Sequence, residues 1–153
     1  MEIKFRIEQS GISGQWLDRQ GLDRLPSSGG AYLIALLLSQ PITLQLVKKE
    51  PRTLNPAWYI YCGSAYGSGG LASRIKRHFR HRKPIHWHID RLTVEASQLW
   101  TLCVEQGDEC NLTTTLDQSK NFDHPIPGFG STDCRLCKSH LLMHRAAISE
   151  QSN

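Results

Sequence analysis

Seven consecutive apolar residues, Tyr32 to Leu38, follow directly on Gly30-Ala31. The run is too short and too uniformly apolar for a surface helix, which carries its apolar side chains on one stripe. It reads as a strand buried on both faces, the pattern of a strand in the middle of a covered sheet. A second tyrosine-glycine segment, Tyr61-Cys62-Gly63, closes another β-prone run that starts at Trp58. Between them, Ser39-Gln40-Pro41 marks a turn, Ile42 to Val47 alternates with period two as a strand should, and residues 48–56 form a polar loop. Connections this short suit an antiparallel meander.

A glycine-rich loop, Gly67-Ser68-Gly69-Gly70, then leads into a helix expected over Leu71–Arg82. Leu71, Ala72, Ile75 and Phe79 share one face at helical spacing, and Arg74, His78 and His81 form a stripe beside it. Pro84 ends the segment. His86–Thr93 reads as a shorter helix and Gln98–Val104 as a strand. Gly107-Asp108 supplies a turn and an N-cap for a helix over Glu109–Gln118. Ile3, Phe5 and Ile7 alternate like a short strand within a peripheral N-terminal extension, residues 1–28, broken by Gly11, Gly14 and Pro26-Ser27-Ser28-Gly29. Residues 29–145 form one domain that includes a cysteine-histidine tail, and residues 146–153 a flexible C-terminus. The expected fold is α+β, a small central antiparallel β-sheet flanked by helices.

At 153 residues the chain is long enough to bury a core, and 39% hydrophobic and 21% charged residues make an ordinary globular balance. The net charge of +4 is modest, but it is unevenly spread. Arg74, Lys76, Arg77, Arg80 and Arg82, with His78 and His81, crowd one stretch that contains no acid. Such a patch suits a polyanion, because neutralising phosphates releases condensed counterions. The longest apolar run is far shorter than the roughly 20 residues of a membrane helix, and the N-terminus lacks a signal-peptide core. Five cysteines, an odd number, read as reduced thiols or metal ligands in a cytoplasmic protein rather than as a disulfide frame.

Taken in order, Gly30-Ala31-Tyr32, Tyr61-Cys62-Gly63-Ser64-Ala65 and Leu71-Ala72-Ser73-Arg74 resemble the GIY-YIG nuclease domain. More narrowly, Tyr61 to His78, His86-Trp87-His88-Ile89-Asp90, Glu109-Cys110 and Pro127 to Cys134 look like a small archaeal and bacterial branch of that superfamily, sometimes fused to a DNA-repair glycosylase. The resemblance covers roughly residues 30–142. Ala31 and Cys62 stand where the family name has isoleucine; both are apolar strand residues, so the departure weakens the text match more than the site.

The resemblance implies metal-dependent hydrolysis of one nucleic-acid strand. Phosphodiester hydrolysis needs a base for water, positive charge on the developing phosphorane and help for the leaving oxygen. The resemblance gives Glu109 one Mg²⁺ or Mn²⁺, with Glu105 and Asp108 as rivals; Arg74 the scissile phosphate; and Tyr32 and Tyr61 the family's tyrosine roles. A guanidinium suits a phosphate because it stays charged and binds bidentately. A phenol with a pKa of about 10 needs a shift of roughly 3 units to act as base near neutrality, so His78, one turn from Arg74, is the other base candidate. Lys76, Arg77, Arg80, His81 and Arg82 are candidate nucleic-acid contacts, and the amides of Gly69 and Gly70 could face a phosphate. His86 and His88 read as packing or phosphate contacts, and Tyr59 and Tyr66 as structural or DNA-contacting. The glycine loop lacks the Gly-Lys-Ser/Thr ending of a P-loop, which argues against a nucleotide cofactor.

Cys134-x-x-Cys137-x-x-His140-x-x-x-His144 has the residue types and short spacing of a zinc site. The expected function is therefore an endonuclease on DNA, structure-directed or weakly sequence-specific, in repair or mobile-element biology; RNA is an open alternative substrate. Two further readings stand beside it: a non-catalytic nucleic-acid-binding module on the same fold, and a zinc-stabilised interaction domain.

Overall fold

A computed structural model describes residues 2–46, 49–129 and 139–145. Its centre is a six-stranded, wholly antiparallel sheet in the order β1-β6-β2-β5-β8-β7. β1 spans Trp16–Leu17, β2 Gly30–Leu38, β5 Ala57–Ser64, β6 Gln98–Glu105, β7 Phe122–Asp123 and β8 Leu141–His144. β2 lies between β5 and β6 and is buried along almost its whole length, as its unbroken apolar run requires.

Alternation along β2 and β5 divides the core into two layers. Tyr32, Ile34, Leu36 and Tyr59 face a layer closed by α2 (Gly70–His78) and α3 (His88–Glu95). Ala31, Leu33, Ala35, Ile60 and Cys62 face the opposite layer, closed by α1 (Glu2–Gln9) and α4 (Glu109–Gln118). The fold is α+β with helices on both faces, as expected, and α4 with its Asp108 cap occupies the expected residues: the Asp108 carboxylate accepts from the amides of Cys110 and Asn111.

Four local expectations are corrected. Residues 2–9 form a helix, not a strand: Ile3 and Ile7, one turn apart, are 1% and 0% exposed, whereas Phe5 between them is 56% exposed. The N-terminal segment is thus core rather than periphery, and Trp16–Leu17 adds an edge strand to the sheet. β3 (Ile42–Leu44) does not join the central sheet. It pairs with β4 (Arg52–Leu54), inside the stretch expected to be loop, where Thr43 and Thr53 share a hydroxyl–hydroxyl bond of 2.9 Å. α2 stops at His78 rather than Arg82, because Lys83 Nζ donates to the carbonyls of Arg77 (3.0 Å) and His78 (2.7 Å), two of the acceptors a helix end leaves open. Finally, the tail contributes two strands for which the sequence gives no signal, β7 and β8. No helix among the described residues is long and apolar enough to cross a membrane.

Candidate active site

Tyr32 and Gly63 are direct partners across β2 and β5. The Tyr32 ring lies over Gly63 so closely that a Cβ there would sit 2.5 Å from the hydroxyl and 2.6 Å from Cζ. Glycine at this position lets the phenol cross the neighbouring strand and reach α2, where its hydroxyl is 2.7 Å from His78 Nε2. Both side chains are 1% exposed. Tyr61, two residues before Gly63, shares the same face; its ring meets His78 edge-on at 5.9 Å and Phe129 at 6.3 Å. Arg74, one turn before His78, completes the group. Tyr32, Tyr61, Arg74 and His78 line one cleft of about 710 Å³, whose outer wall is formed by Ile85–Ile89, Arg91 and Phe129.

The electrostatics of the cleft hold its two phenols and His78 neutral. Burial pushes the Tyr32 phenol well above its usual range, and the charges of Tyr61 and Glu109 add to that push. Tyr61 is pushed up to about 12, again by burial first and then by the Glu109 carboxylate. Arg74 acts on both phenols in the opposite sense. His78 is lowered to about 3 by burial, with the cations of Lys83, Arg77 and Arg74 working the same way against the partial compensation of Asp90. At neutral pH the dyad is therefore an un-ionised phenol on an un-ionised imidazole. His78 Nδ1 has no hydrogen-bond partner among the described residues.

Glu109, at the first turn of α4, does not line the cleft, yet its carboxylate acts electrostatically on both phenols from the same end of the sheet. Its side chain is 31% exposed and its Oε2 lies 3.6 Å from His140 Nδ1. Among the described residues no three His, Cys, Asp or Glu side chains are arranged to hold a metal ion. The Glu109 carboxylate is an oxygen donor of the kind Mg²⁺ or Mn²⁺ takes, ions that retain water and accept phosphate oxygens as further ligands, and it is carried by α4, the helix on the layer opposite the phenols. Of the rival acids, Asp108 is occupied in capping α4.

The basic segment divides into different roles. Arg77 is not a free phosphate contact: it makes a two-pronged ion pair with fully buried Asp90, at 2.7 and 2.9 Å, and ties α2 to α3. Asp90 also accepts the amides of His86 and Trp87, each at 3.0 Å. Burial alone would raise its carboxyl, but the Arg77 bond and these amides override it and hold the group at about 2. Lys76, Arg80, His81 and Arg82 are exposed on the last turn of α2 and just beyond, outside the cleft lining. His81 is not on the Arg74–His78 stripe, because the helix ends before it.

The amide of Gly70 and the two that follow it are already engaged within the chain. Those of Gly70, Leu71 and Ala72 donate to the carbonyls of Gly67, Ser28 and Pro26 at 2.8–3.1 Å. Gly69 and Gly70 instead serve the turn: both have positive φ, and a Cβ on Gly70 would lie 2.1 Å from the Ser27 carbonyl.

Cys134 and Cys137 lie outside the described residues, as do residues 146–153. The two histidines of the expected zinc set have different neighbours. His140 faces Glu109 and Cys110, its Nε2 being 3.8 Å from Cys110 Sγ, while the His144 ring packs on Phe122. Tyr59 is structural, donating to the Asn55 carbonyl, and Tyr66 donates to that of Gly107. His86 and His88 both line the cleft. Sequence reasoning missed Trp87 and Arg91 as parts of the wall; an exposed tryptophan beside a proline-terminated basic helix was the available signal.

No curated protein and no solved structure matches the chain. A family model described as a domain of unknown function, DUF123, matches residues 31–153, the segment that contains the cleft and every side chain just described around it. The chain belongs to the DUF123 family.

Proposed function

We propose that this protein is a metal-dependent endonuclease of the GIY-YIG type, hydrolysing phosphodiester bonds in DNA. The observation that carries the reading is the buried Tyr32–His78 hydrogen bond placed beside Arg74 at the floor of an open cleft. Arg74 receives the scissile phosphate and stabilises its developing charge. As water attacks phosphorus, its proton passes to the Tyr32 oxygen while the Tyr32 proton passes to His78 Nε2. The arriving phosphate supports this relay: its negative charge offsets the cations that depress His78 and makes an imidazolium there less costly. Tyr61, further from solvent-free burial than Tyr32, orients the water or a phosphate oxygen. Glu109 would hold Mg²⁺ or Mn²⁺, and the chemistry such an ion would supply is Lewis-acid stabilisation of developing negative charge.

The resting neutrality of the cleft favours one alternative, a module that binds nucleic acid on the same surface without cutting it. A panel of plasmid, nicked, flapped and branched substrates with Mg²⁺ and Mn²⁺ separates the two. Nicking that disappears in Arg74→Ala and Glu109→Ala supports the endonuclease. DNA binding by the wild type with no product under either metal overturns it and leaves the binding module.

A further inference from the structure

The outer wall of the cleft carries a feature that hydrolysis alone does not use. Trp87 is 45% exposed, and neighbouring Ile85 is 50% exposed. The two side chains stand together in the wall of the cleft rather than scattered singly over the surface. Two guanidiniums from α2 approach the Trp87 ring, Arg74 at 5.1 Å and Arg77 at 4.5 Å from its centroid. The backbone that carries the ring is held: Asp90 accepts the His86 and Trp87 amides and, through its ion pair, holds the same Arg77 that lies over the indole. A partly uncovered aromatic plane thus stands beside Arg74, the residue proposed above to receive the scissile phosphate.

We infer that Trp87 is a stacking platform for one unpaired nucleobase, held next to the phosphate that Arg74 binds. The inference rests on the nucleic-acid reading of the cleft. An indole plane stacks on any base, because every base has a π face, and each such stack is worth about 1–3 kcal/mol. A base inside a duplex has both faces covered by its neighbours, so the platform rewards strands whose bases are already exposed: single strands, flaps and the arms of branched molecules. Charge complementarity points the same way. Arg74 and Arg91 flank the indole on the cleft wall, and the acid nearest to it in sequence, Asp90, is buried and paired. The surface therefore matches a sugar-phosphate backbone with one base turned onto the ring.

The test is equilibrium binding by fluorescence anisotropy in Ca²⁺, so that binding is read without cleavage. Wild type, Trp87→Ala and Trp87→Phe are compared on a single strand, a flap and a blunt duplex. The expected result is about tenfold weaker binding of single strand and flap by Trp87→Ala, duplex binding changed less than about twofold, and most of the affinity kept by Trp87→Phe. An abasic residue at the unpaired position should remove the difference between wild type and Trp87→Ala. Equal losses on all three substrates, or no loss on any, overturn the inference. Matching thermal melts of the variants exclude a folding cause. If Trp87→Ala shows the selective loss but no substrate is ever cut, the platform stands and the endonuclease reading fails; if cutting occurs and the loss is unselective, the reverse holds.

Discussion

The hydroxyl of Tyr32 and Nε2 of His78, residues 46 apart in the chain, lie 2.7 Å apart in the core. The contact exists because Gly63 leaves room for the Tyr32 ring above β5 and because α2 packs its buried face onto β2. A hydrogen-bonded pair this deep has consequences for stability as well as for chemistry.

Acid should destabilise the fold through His78. Its native-state pKa, lowered to about 3, lies below the ordinary value of 6.5. The unfolded chain therefore takes up a proton that the native state refuses between those two values, and stability falls as pH drops from about 6.5 toward 3. Asp90, lowered to about 2, adds its own loss in the separate window below 3.8. Urea melts at pH 7, 5.5 and 4.5 should show a smaller pH-dependent loss for His78→Gln than for wild type. An unchanged loss would mean that His78 is not held neutral.

Gly63→Ala should be costly for a reason that is local and testable. The added methyl meets the buried Tyr32 ring, which is packed on both sides and has nowhere to retreat. Overpacking of this kind costs about 1–3 kcal/mol. In a Tyr32→Ala background the same substitution should cost much less, because the two sites share one contact. A denaturation double-mutant cycle with no coupling would show that the ring does not lie where the structure has it.

Arg77 should behave as a structural cation. Asp90→Asn or Arg77→Ala leaves half of a buried ion pair behind and should destabilise the protein by about 3 kcal/mol, read as a lower thermal midpoint. Neither change should greatly reduce the salt dependence of DNA binding. Lys76→Ala and Arg80→Ala should do the opposite, leaving the melt unchanged and reducing the slope of log affinity against log salt by about one each if those side chains meet phosphates.

Glu109 can be followed without an activity assay. Its negative charge helps hold Tyr61 protonated, second only to burial, in a group that titrates at about 12. Removing that charge favours the phenolate, so Glu109→Gln should lower the Tyr61 midpoint in an ultraviolet titration, with Tyr61→Phe identifying the signal. A midpoint that stays put would separate the carboxylate from the tyrosines and remove the basis for placing a metal between them.

The sequence by itself determined the central strands, α4 with its cap, and the α+β class, because each rests on local patterning: an unbroken apolar run, a period of two or an Asp before a helix. The family resemblance implied that Tyr32, Tyr61 and Arg74 belong together, with His78 one helical turn from Arg74, and all four line one cleft. Tertiary structure decided matters that depend on partners distant in sequence. The alternation of Ile3, Phe5 and Ile7 fits a strand until α1 finds the sheet face that buries Ile3 and Ile7 together. Arg77 is indistinguishable from Arg74 in a list of basic residues, and only the packing of α3 against α2 supplies Asp90 and withdraws Arg77 from solvent. The first turn of α2 looks open to a phosphate until Pro26 and Ser28 arrive to accept the amides of Ala72 and Leu71. Burial and partner choice are properties of the whole packed chain, so side chains of one type, a few residues apart, end with different work to do.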